Sequence, residues 1–590
     1  MKKSLLNHII ILTGAFIAIS QYACNKSLEL EPLDRISDAT FWKSPNDFKL
    51  GANKFYTYLR TFGTEGHHGP NDLGTSLDNV SRGINTKGVI DANFDSAYSY
   101  TRSINYLLAK AEAYPNREEI KLYVAEAKFF RAYVYFEYLL TAYGPSVIVE
   151  KPLNLGSPEL NASRNSRSEV VDFIIKDLEE AIPDLPVESK VTEKGRITKG
   201  AAQGFLSRVA LYEATWQKYT EGNLKEGKPE GAARVSLLLD KAIASSTEVI
   251  ASNEYELFAP PALGDSAQKY LFILENQKSN PASIGKSANK EYILANRYDQ
   301  TLRQIRRNVS FANFGSDASK KFADLFLAQD GLPIEKSAVF KGYGTLKSEY
   351  ENRDNRMKYQ FHMDGGYYWS GNANWQINWN WSPQDKQNAR ESPFDPFNNS
   401  TSGYNTYRFV AERQVPDNQE GFDYPVIRYA EVLLNYAEAV FEKNGAIADA
   451  DLNRSLNLVR NRVNKTMPAL SNAFAVANGL DMLTEIRRER TVELNAEGFR
   501  LDDLKRWFRA HIELKEPVLG VKFKGTEFET TYTGAAGKRK KLTPVVDANG
   551  FIIVDPIANR KFDKDKNYLN PIPTGQIQLN PNLGQNPGWQ

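Results

Sequence analysis

Cysteine is all but missing from this chain. Cys24 is the single one in 590 residues, so no internal disulfide can staple the fold. Histidine is scarce too, at five, and the adjacent His67 and His68 are not spaced to put two imidazoles on one helical face for a metal. Net charge is close to nil: 74 Lys and Arg against 72 Asp and Glu leave +2, without the basic excess of a nucleic-acid binder. Past residue 24 no apolar run is long enough to cross a bilayer as a helix. Catalytic signatures are missing as well, with no His-Glu-x-x-His, no Gly-x-Ser-x-Gly and no phosphate-binding glycine loop. Gly342-Tyr343-Gly344 lacks the third glycine. Asp563-Lys564-Asp565-Lys566-Asn567 opens like a calcium loop, but Tyr568 stands where Gly is needed. The expectation is a protein that is not an enzyme, with no cofactor and no metal-ligand set in its sequence.

What is present begins at the N-terminus. Lys2 and Lys3 precede a short apolar run over 9–19, and Ser20-Gln21-Tyr22-Ala23-Cys24 follows. That is the layout of a secretory signal, too short for a stable membrane span. Cys24, directly after a small residue at the end of the run, reads as the acylated first residue of a lipoprotein. The plainer alternative is an incidental cysteine near an ordinary cleavage site. Gln21 departs from the apolar residue such signals usually carry there.

Helical periodicity governs the first half. Over 120–143, Leu122, Ala125, Phe129, Tyr133, Phe136 and Leu140 recur at steps of three or four. The same pattern runs over 168–182, 198–219 and 235–250. Small residues interleaved with large ones predict closely paired helices, similar to tetratricopeptide hairpins, although no strict 34-residue repeat fits. Periodicity fades over 260–425, where Gly, Asn, Ser and Asp accumulate among aromatics. Helices return at 426–443, 448–463, 480–497 and 499–510, and 518–556 reads as hairpin strands with Asp547-Ala548-Asn549-Gly550 as a turn. The predicted class is mainly α, with tetratricopeptide-like hairpins packed against a loop-rich region with short strands. The predicted divisions are a signal peptide (1–23), a lipidated tether (24–36), an N-terminal helical region (37–260), a loop-rich aromatic ligand-binding region (261–425), returning helices (426–516), and a C-terminal hairpin and strap (517–590). Arg428 and Glu431 are expected to pair across a helical turn. Glu489, Arg490, Glu493, Glu497 and Arg500 are expected to form a charge ladder between helices.

Four of the eight tryptophans fall within 13 residues: Trp369, Trp375, Trp379 and Trp381, preceded by Tyr367 and Tyr368 and interleaved with Asn374, Asn378 and Asn380. A sugar ring has an apolar C–H face and a rim of hydroxyls. Indoles can cover the face while amides exchange hydrogen bonds with the rim. Trp375, Trp379 and Trp381 share one parity, so an extended strand would point them to one side. The competing reading is that these rings fill the gap between the loop-rich region and the helices.

Several segments together resemble the SusD/RagB family of outer-membrane lipoproteins. They include Leu28-Glu29-Leu30-Glu31-Pro32-Leu33-Asp34, Ala125-Glu126-Ala127-Lys128-Phe129-Phe130-Arg131-Ala132-Tyr133 and Gly195-Arg196-Ile197-Thr198. Others are Tyr424-Pro425-Val426-Ile427-Arg428-Tyr429-Ala430-Glu431, Arg500-Leu501-Asp502-Asp503-Leu504-Lys505-Arg506-Trp507 and Gln585-Asn586-Pro587-Gly588-Trp589. The resemblance implies a SusD-like fold, a lipid anchor at Cys24 in the outer membrane facing the extracellular side, and capture of an oligosaccharide for a SusC-like TonB-dependent transporter. It also implies that the loop over 62–98 faces ligand, offering Asp78, Asn79, Arg82 and the rings of Phe94 and Tyr98. The family often carries Trp near Phe94. Alternatives are a RagB-like protein holding peptides, a glycoside hydrolase, which needs only two carboxylates about 5–9.5 Å apart, and a scaffold without a small ligand.

Overall fold

The computed structural model describes residues 41–62, 71–75, 77–220, 231–306, 309, 316–363, 396–397, 400–406, 408–411, 418–535 and 541–590. The signal segment and Cys24 lie outside them. The principal helices of the first half are α1 (Pro45–Asn53), α2 (Ala92–Glu112), α3 (Lys121–Val134), α4 (Arg167–Ala181), α5 (Lys199–Thr220) and α6 (Ala232–Ala251). Helix α3 runs on through a π-helical turn, Tyr135–Leu140, to Tyr143. Gly144 at φ 76 and Pro145 then stop it. The starts are set by capping. Asp91 accepts from the Asn93 and Phe94 amides at the head of α2, and Ser166 and Glu169 form a capping box on α4.

These helices pack as antiparallel neighbours, α2 on α3, α3 on α4 and α5 on α6. This is the tetratricopeptide-like array that the periodicity predicts. The second half adds β1 (Tyr292–Asn296), β2 (Ser316–Asp317), α7 (Lys320–Leu325), α8 (Asn355–Gln360), β3 (Asn405–Thr406), β4 (Tyr424–Arg428), α9 (Tyr429–Asn444), α10 (Met482–Glu493), α11 (Arg500–Arg506), β5 (Val518–Lys522), β6 (Phe551–Asp555) and α12 (Thr574–Leu579). Helix α9 lies across α5, α6 and α10. Gly204 permits the approach, since a Cβ there would stand 3.2 Å from Ile427 and 3.4 Å from Val432. One core joins both halves through the array, and a smaller one gathers Phe322, Phe326, Phe361, Tyr404 and Val521.

Four expectations need correction. Val426, Ile427 and Arg428 belong to β4, which pairs antiparallel with β1; two β-branched residues after a proline favour strand over helix. The predicted helix over 448–463 is broken at Ser455, whose hydroxyl donates to the Asp451 carbonyl. The strands over 518–556 pair antiparallel as β5 and β6 and the Asp547 turn forms, but that turn joins Val546 to β6, while β5 reaches β6 by a longer path containing the helix Glu527–Thr531. Arg428 and Glu431 do not pair. Arg428 is the extended last residue of β4, so its side chain leaves the face of α9, and Glu431 instead accepts from Arg208 at 2.6 and 2.7 Å.

Arg428 joins a buried ionic lattice. Arg356, Arg408, Arg428, Arg460 and Arg462 interleave there with Asp354, Glu291, Glu489, Glu493 and Glu497, all buried. Glu493 receives Arg462 at 2.6 Å, Arg428 at 3.0 Å and Arg356 at 3.2 Å. Burial alone would raise its carboxyl, but the three guanidiniums outweigh that and hold it well below the usual carboxylate range. Glu497 accepts from Arg428 at 2.7 Å and Arg408 at 2.6 Å. Removing one member strands its partners in a dry interior. Arg428→Leu is therefore expected to destabilise the fold by about 3–5 kcal/mol, read as a lower denaturant midpoint. A loss below about 1 kcal/mol would show that the lattice carries little of the fold's stability.

Candidate ligand-binding face

Four short stretches meet in one small ribbon. Gly74 bridges Ala318, β2 pairs with β3 through Ser316–Thr406 and Asp317–Asn405, and Phe361 bridges Thr406. The Ser319 amide donates to the Leu73 carbonyl at 2.7 Å, and its hydroxyl to the Asp72 carbonyl at 2.8 Å. The ribbon therefore carries the ends of several connections: 71–75 follows 63–70, β2 follows 310–315, and Met363 and Pro396 bound 364–395. Asn405 ties that last pair together. Its carbonyl accepts from the His362 amide at 2.9 Å, and its side-chain amide donates to the Pro396 carbonyl at 3.0 Å. The described residues on either side of 364–395 thus meet at one residue, Asn405.

The roots are held from below. Phe361 stacks on Phe322 with centroids 5.4 Å apart and meets Phe326 and Tyr350 edge-on. Arg356 in α8, before Phe361, and Arg408, after Thr406, both belong to the ionic lattice and reach Glu489, Glu493 and Glu497. Arg408 also lies 3.8 Å from the ring centroid of Phe272. On the other side, Asn71 accepts from the Leu73 and Gly74 amides, each at 2.8 Å. Asp72 is clamped by Arg500 at 2.7 Å and Lys321 at 3.1 Å. Burial pushes the Asp72 carboxyl up, but the two cations win and hold it well below its ordinary range. Phe62, the last residue before 63–70, meets Phe409, Phe422 and Tyr424 at 5.1–5.3 Å.

The residues expected to contact ligand fall in three places. Tyr367, Tyr368, Trp369, Trp375, Trp379 and Trp381 lie outside the described residues, within 364–395. Asp78, Asn79 and Arg82 come together in one turn. Asp78 accepts from the Ser81 amide at 2.6 Å, the Asn79 carbonyl accepts from the Ile84 amide at 2.9 Å, and Arg82 donates to Asp555 at 2.9 and 3.3 Å. Gly83 closes the turn at φ 65, where a Cβ would stand 2.2 Å from the Lys561 carbonyl oxygen. Arg82 is thus bound to the C-terminal strand β6. Tyr98 stands apart. The loop expected over 62–98 ends at Asp91, which puts Tyr98 on α2. There its hydroxyl donates to the Val147 carbonyl at 3.4 Å and accepts from the Val147 amide at 3.2 Å. Burial pushes it up to about 12. Tyr98 also borders a cavity of about 600 Å³ with Arg102, Lys151 and Leu155. Phe94 corrects the expectation of an exposed ring: it is buried against Tyr98 and Tyr143. Sequence reasoning missed Asn71, Asp72, Asn405 and Arg408. Nothing in the local pattern separates them from the other polar residues of a loop-rich region.

The helical array and the small ribbon, held by buried charge, can be compared with known folds. The chain belongs to the SusD family, whose model matches residues 274–589. A second family model, described as starch-binding associating with outer membrane, matches residues 64–211. A SusD-like protein of Formosa agariphila is 24% identical over 521 residues, covering 85% of this chain and 91% of that one. Among solved structures, a SusD-like carbohydrate-binding protein from Bacteroides fragilis superposes with a TM-score of 0.69 at 22% identity, over 92% of this chain and all of the other. A laminarin-binding SusD-like protein gives a TM-score of 0.54 at 18% identity, over 92% of this chain and all of its own. At these identities the superpositions establish the fold.

Tyr404 in the ribbon donates to Glu349 at 2.6 Å, and burial pushes that carboxyl up to about 7. The folded state therefore favours the protonated acid. Stability from this group is complete below its unfolded value near 4.5 and is lost as pH rises through about 7. Glu349→Gln keeps the acceptor and removes the ionisation. Its melting temperature is expected to exceed that of the parent at pH 8 and to match it near pH 5. An equal gap at both values would refute the assignment.

Proposed function

We propose that this chain is a non-catalytic, cell-surface glycan-binding protein. In this reading it captures an oligosaccharide on the face built from the Asn405-rooted insertion and passes it to a SusC-like TonB-dependent transporter. The observation that carries the proposal is that His362 and Pro396, on either side of the segment holding Tyr367, Tyr368, Trp369, Trp375, Trp379 and Trp381, are both bonded to Asn405. Indole faces on a fixed root can cover sugar C–H faces at little entropic cost, and the interleaved asparagines supply hydrogen bonds to hydroxyls. Delivery needs no bond cleavage. A binder tethered beside a pore raises the local ligand concentration. Acylation of Cys24 would supply the tether and place the protein on the outer membrane, facing outward. Family membership, and the carbohydrate-binding and laminarin-binding relatives of the same fold, support this reading. Asp78, Asn79 and Arg82 follow Gly74 closely and belong to the same proposed face through their turn. Tyr98, on α2, is proposed as a further contributor.

Calorimetry with a panel of oligosaccharides, followed by Trp375→Ala, Trp379→Ala and Trp381→Ala on the best ligand, tests the proposal. At least one substitution is expected to cost more than about 1 kcal/mol, or about fivefold in Kd. Unchanged affinity in all three, or binding of peptides but no glycan, would overturn it.

A further inference from the structure

The groove of about 600 Å³ beside Tyr98 lies between α2 and the chain over 147–160. Tyr98, Thr101 and Arg102 line it from α2, at the i, i+3 and i+4 spacing of one helical face. Val149, Lys151 and Leu153 line it from the facing chain, and Leu155 and Leu160 from the turns beyond. Both walls are fixed. The Val149 amide donates to the Tyr135 hydroxyl at 2.8 Å, and the Val149 carbonyl accepts from Asn105, another α2 residue, at 2.7 Å. The size falls within the range of about 300–1,000 Å³ that small-molecule sites occupy.

One polar group in this wall is unmet. Thr101 is 1% exposed, and its hydroxyl has no hydrogen-bond partner among the described residues. A buried hydroxyl on a helix can turn back to the carbonyl four residues earlier, as Thr215 does to Leu211 at 2.7 Å. Thr101 does not. Leaving such a group unpaired is costly, and the groove that Thr101 borders is where a partner can enter. Beside it, Arg102 spends one N–H on the Leu153 carbonyl at 3.1 Å and has no other partner among the described residues. Lys151 pairs with Glu159 at 3.2 Å, but its side chain is 63% exposed, so the pair holds it loosely.

The lining selects against a neutral sugar. None of the described residues bordering the groove is Asp or Glu, and the Asn154 side-chain oxygen there already accepts from the Gly156 amide at 3.0 Å. Sugar hydroxyls would find donors but few acceptors. The remaining surface is apolar. Leu155 is fully exposed and Leu160 is 42% exposed, so an apolar occupant would take two leucines out of water.

We propose that this groove binds an anionic amphiphile, a long-chain aliphatic carboxylate. Its head accepts from the Thr101 hydroxyl and the Arg102 guanidinium, with Lys151 adding positive charge, and its chain covers Leu153, Leu155 and Leu160. The site shares only Tyr98 with the proposed glycan-binding face. Ligands and test variants differ between the two, so each reading can fail without the other.

The probe is sodium dodecanoate, titrated by calorimetry below its micelle concentration. The protein is the chain from residue 24 onward, expressed without acylation so that no detergent competes. One dodecanoate is expected to bind per chain. Acetate, which has the head alone, and dodecylammonium, which has the same chain and the opposite charge, are expected to bind at least about tenfold more weakly. Leu155→Asp, at a fully exposed position, is expected to weaken dodecanoate at least about tenfold. Thr101→Val replaces the unpaired hydroxyl by a methyl group. It is expected to keep or raise the melting temperature while weakening dodecanoate at least about threefold. Absence of dodecanoate binding would overturn the proposal. So would equal binding of dodecylammonium, or unchanged dodecanoate affinity in either variant.

Discussion

Five guanidiniums and five carboxylates closed off from water sit where the second half of this chain meets the helical array. Taking that much charge out of solvent costs several kcal/mol per ion unless each is met by opposite charge in good geometry. The geometry here is good because the partners arrive from separate elements: α8, β4 and α10, with Glu291 ahead of β1 and Arg408 after β3. A lattice of this kind fixes register more than it adds net stability. Each charge is tolerated because partners from other elements meet it, and that ties the loop-rich elements to one another.

The consequence for the proposed ligand-binding face follows from position. Arg356 and Arg408 flank, in sequence, the two ribbon strands that Asn405 and Phe361 occupy, so the charge lattice and the aromatic pack around Phe361 hold the same backbone from two sides. Asp72, between Arg500 and Lys321, does this for the opposite strand. Loops rooted on such a frame can carry variable side chains without moving their bases. That is how a fold of this family can present different ligand chemistry on one scaffold.

Much of the architecture was legible in the residues themselves. The helical half announces itself because its apolar faces repeat at 3.6-residue spacing and its caps, such as Ser166 with Glu169, are local signals. Arg428 was misjudged for a physical reason: a side chain at a strand–helix junction is aimed by backbone dihedrals that sequence spacing alone does not encode. Phe94 was misjudged because a ring in a Gly- and Asn-rich neighbourhood looks solvent-facing until the Asp91 cap puts it on the inner side of α2. The ribbon was invisible, since Leu73, Ala318, Phe361 and Asn405 are successively 245, 43 and 44 residues apart and each contributes only a few backbone bonds. The tryptophan cluster, by contrast, stood out by composition alone.

Hydrogen–deuterium exchange on the paired variants Arg356→Met and Arg408→Met tests most directly whether buried charge fixes the ribbon at the root of the proposed ligand-binding face. The amides of His362, Ala318 and Ser319, which donate within the ribbon, are expected to lose protection by at least about tenfold, while those of α5 and α6 stay as slow as in the parent. Unchanged protection across the ribbon, or an equal loss throughout the helical array, would contradict a local role for the lattice in holding these loop roots.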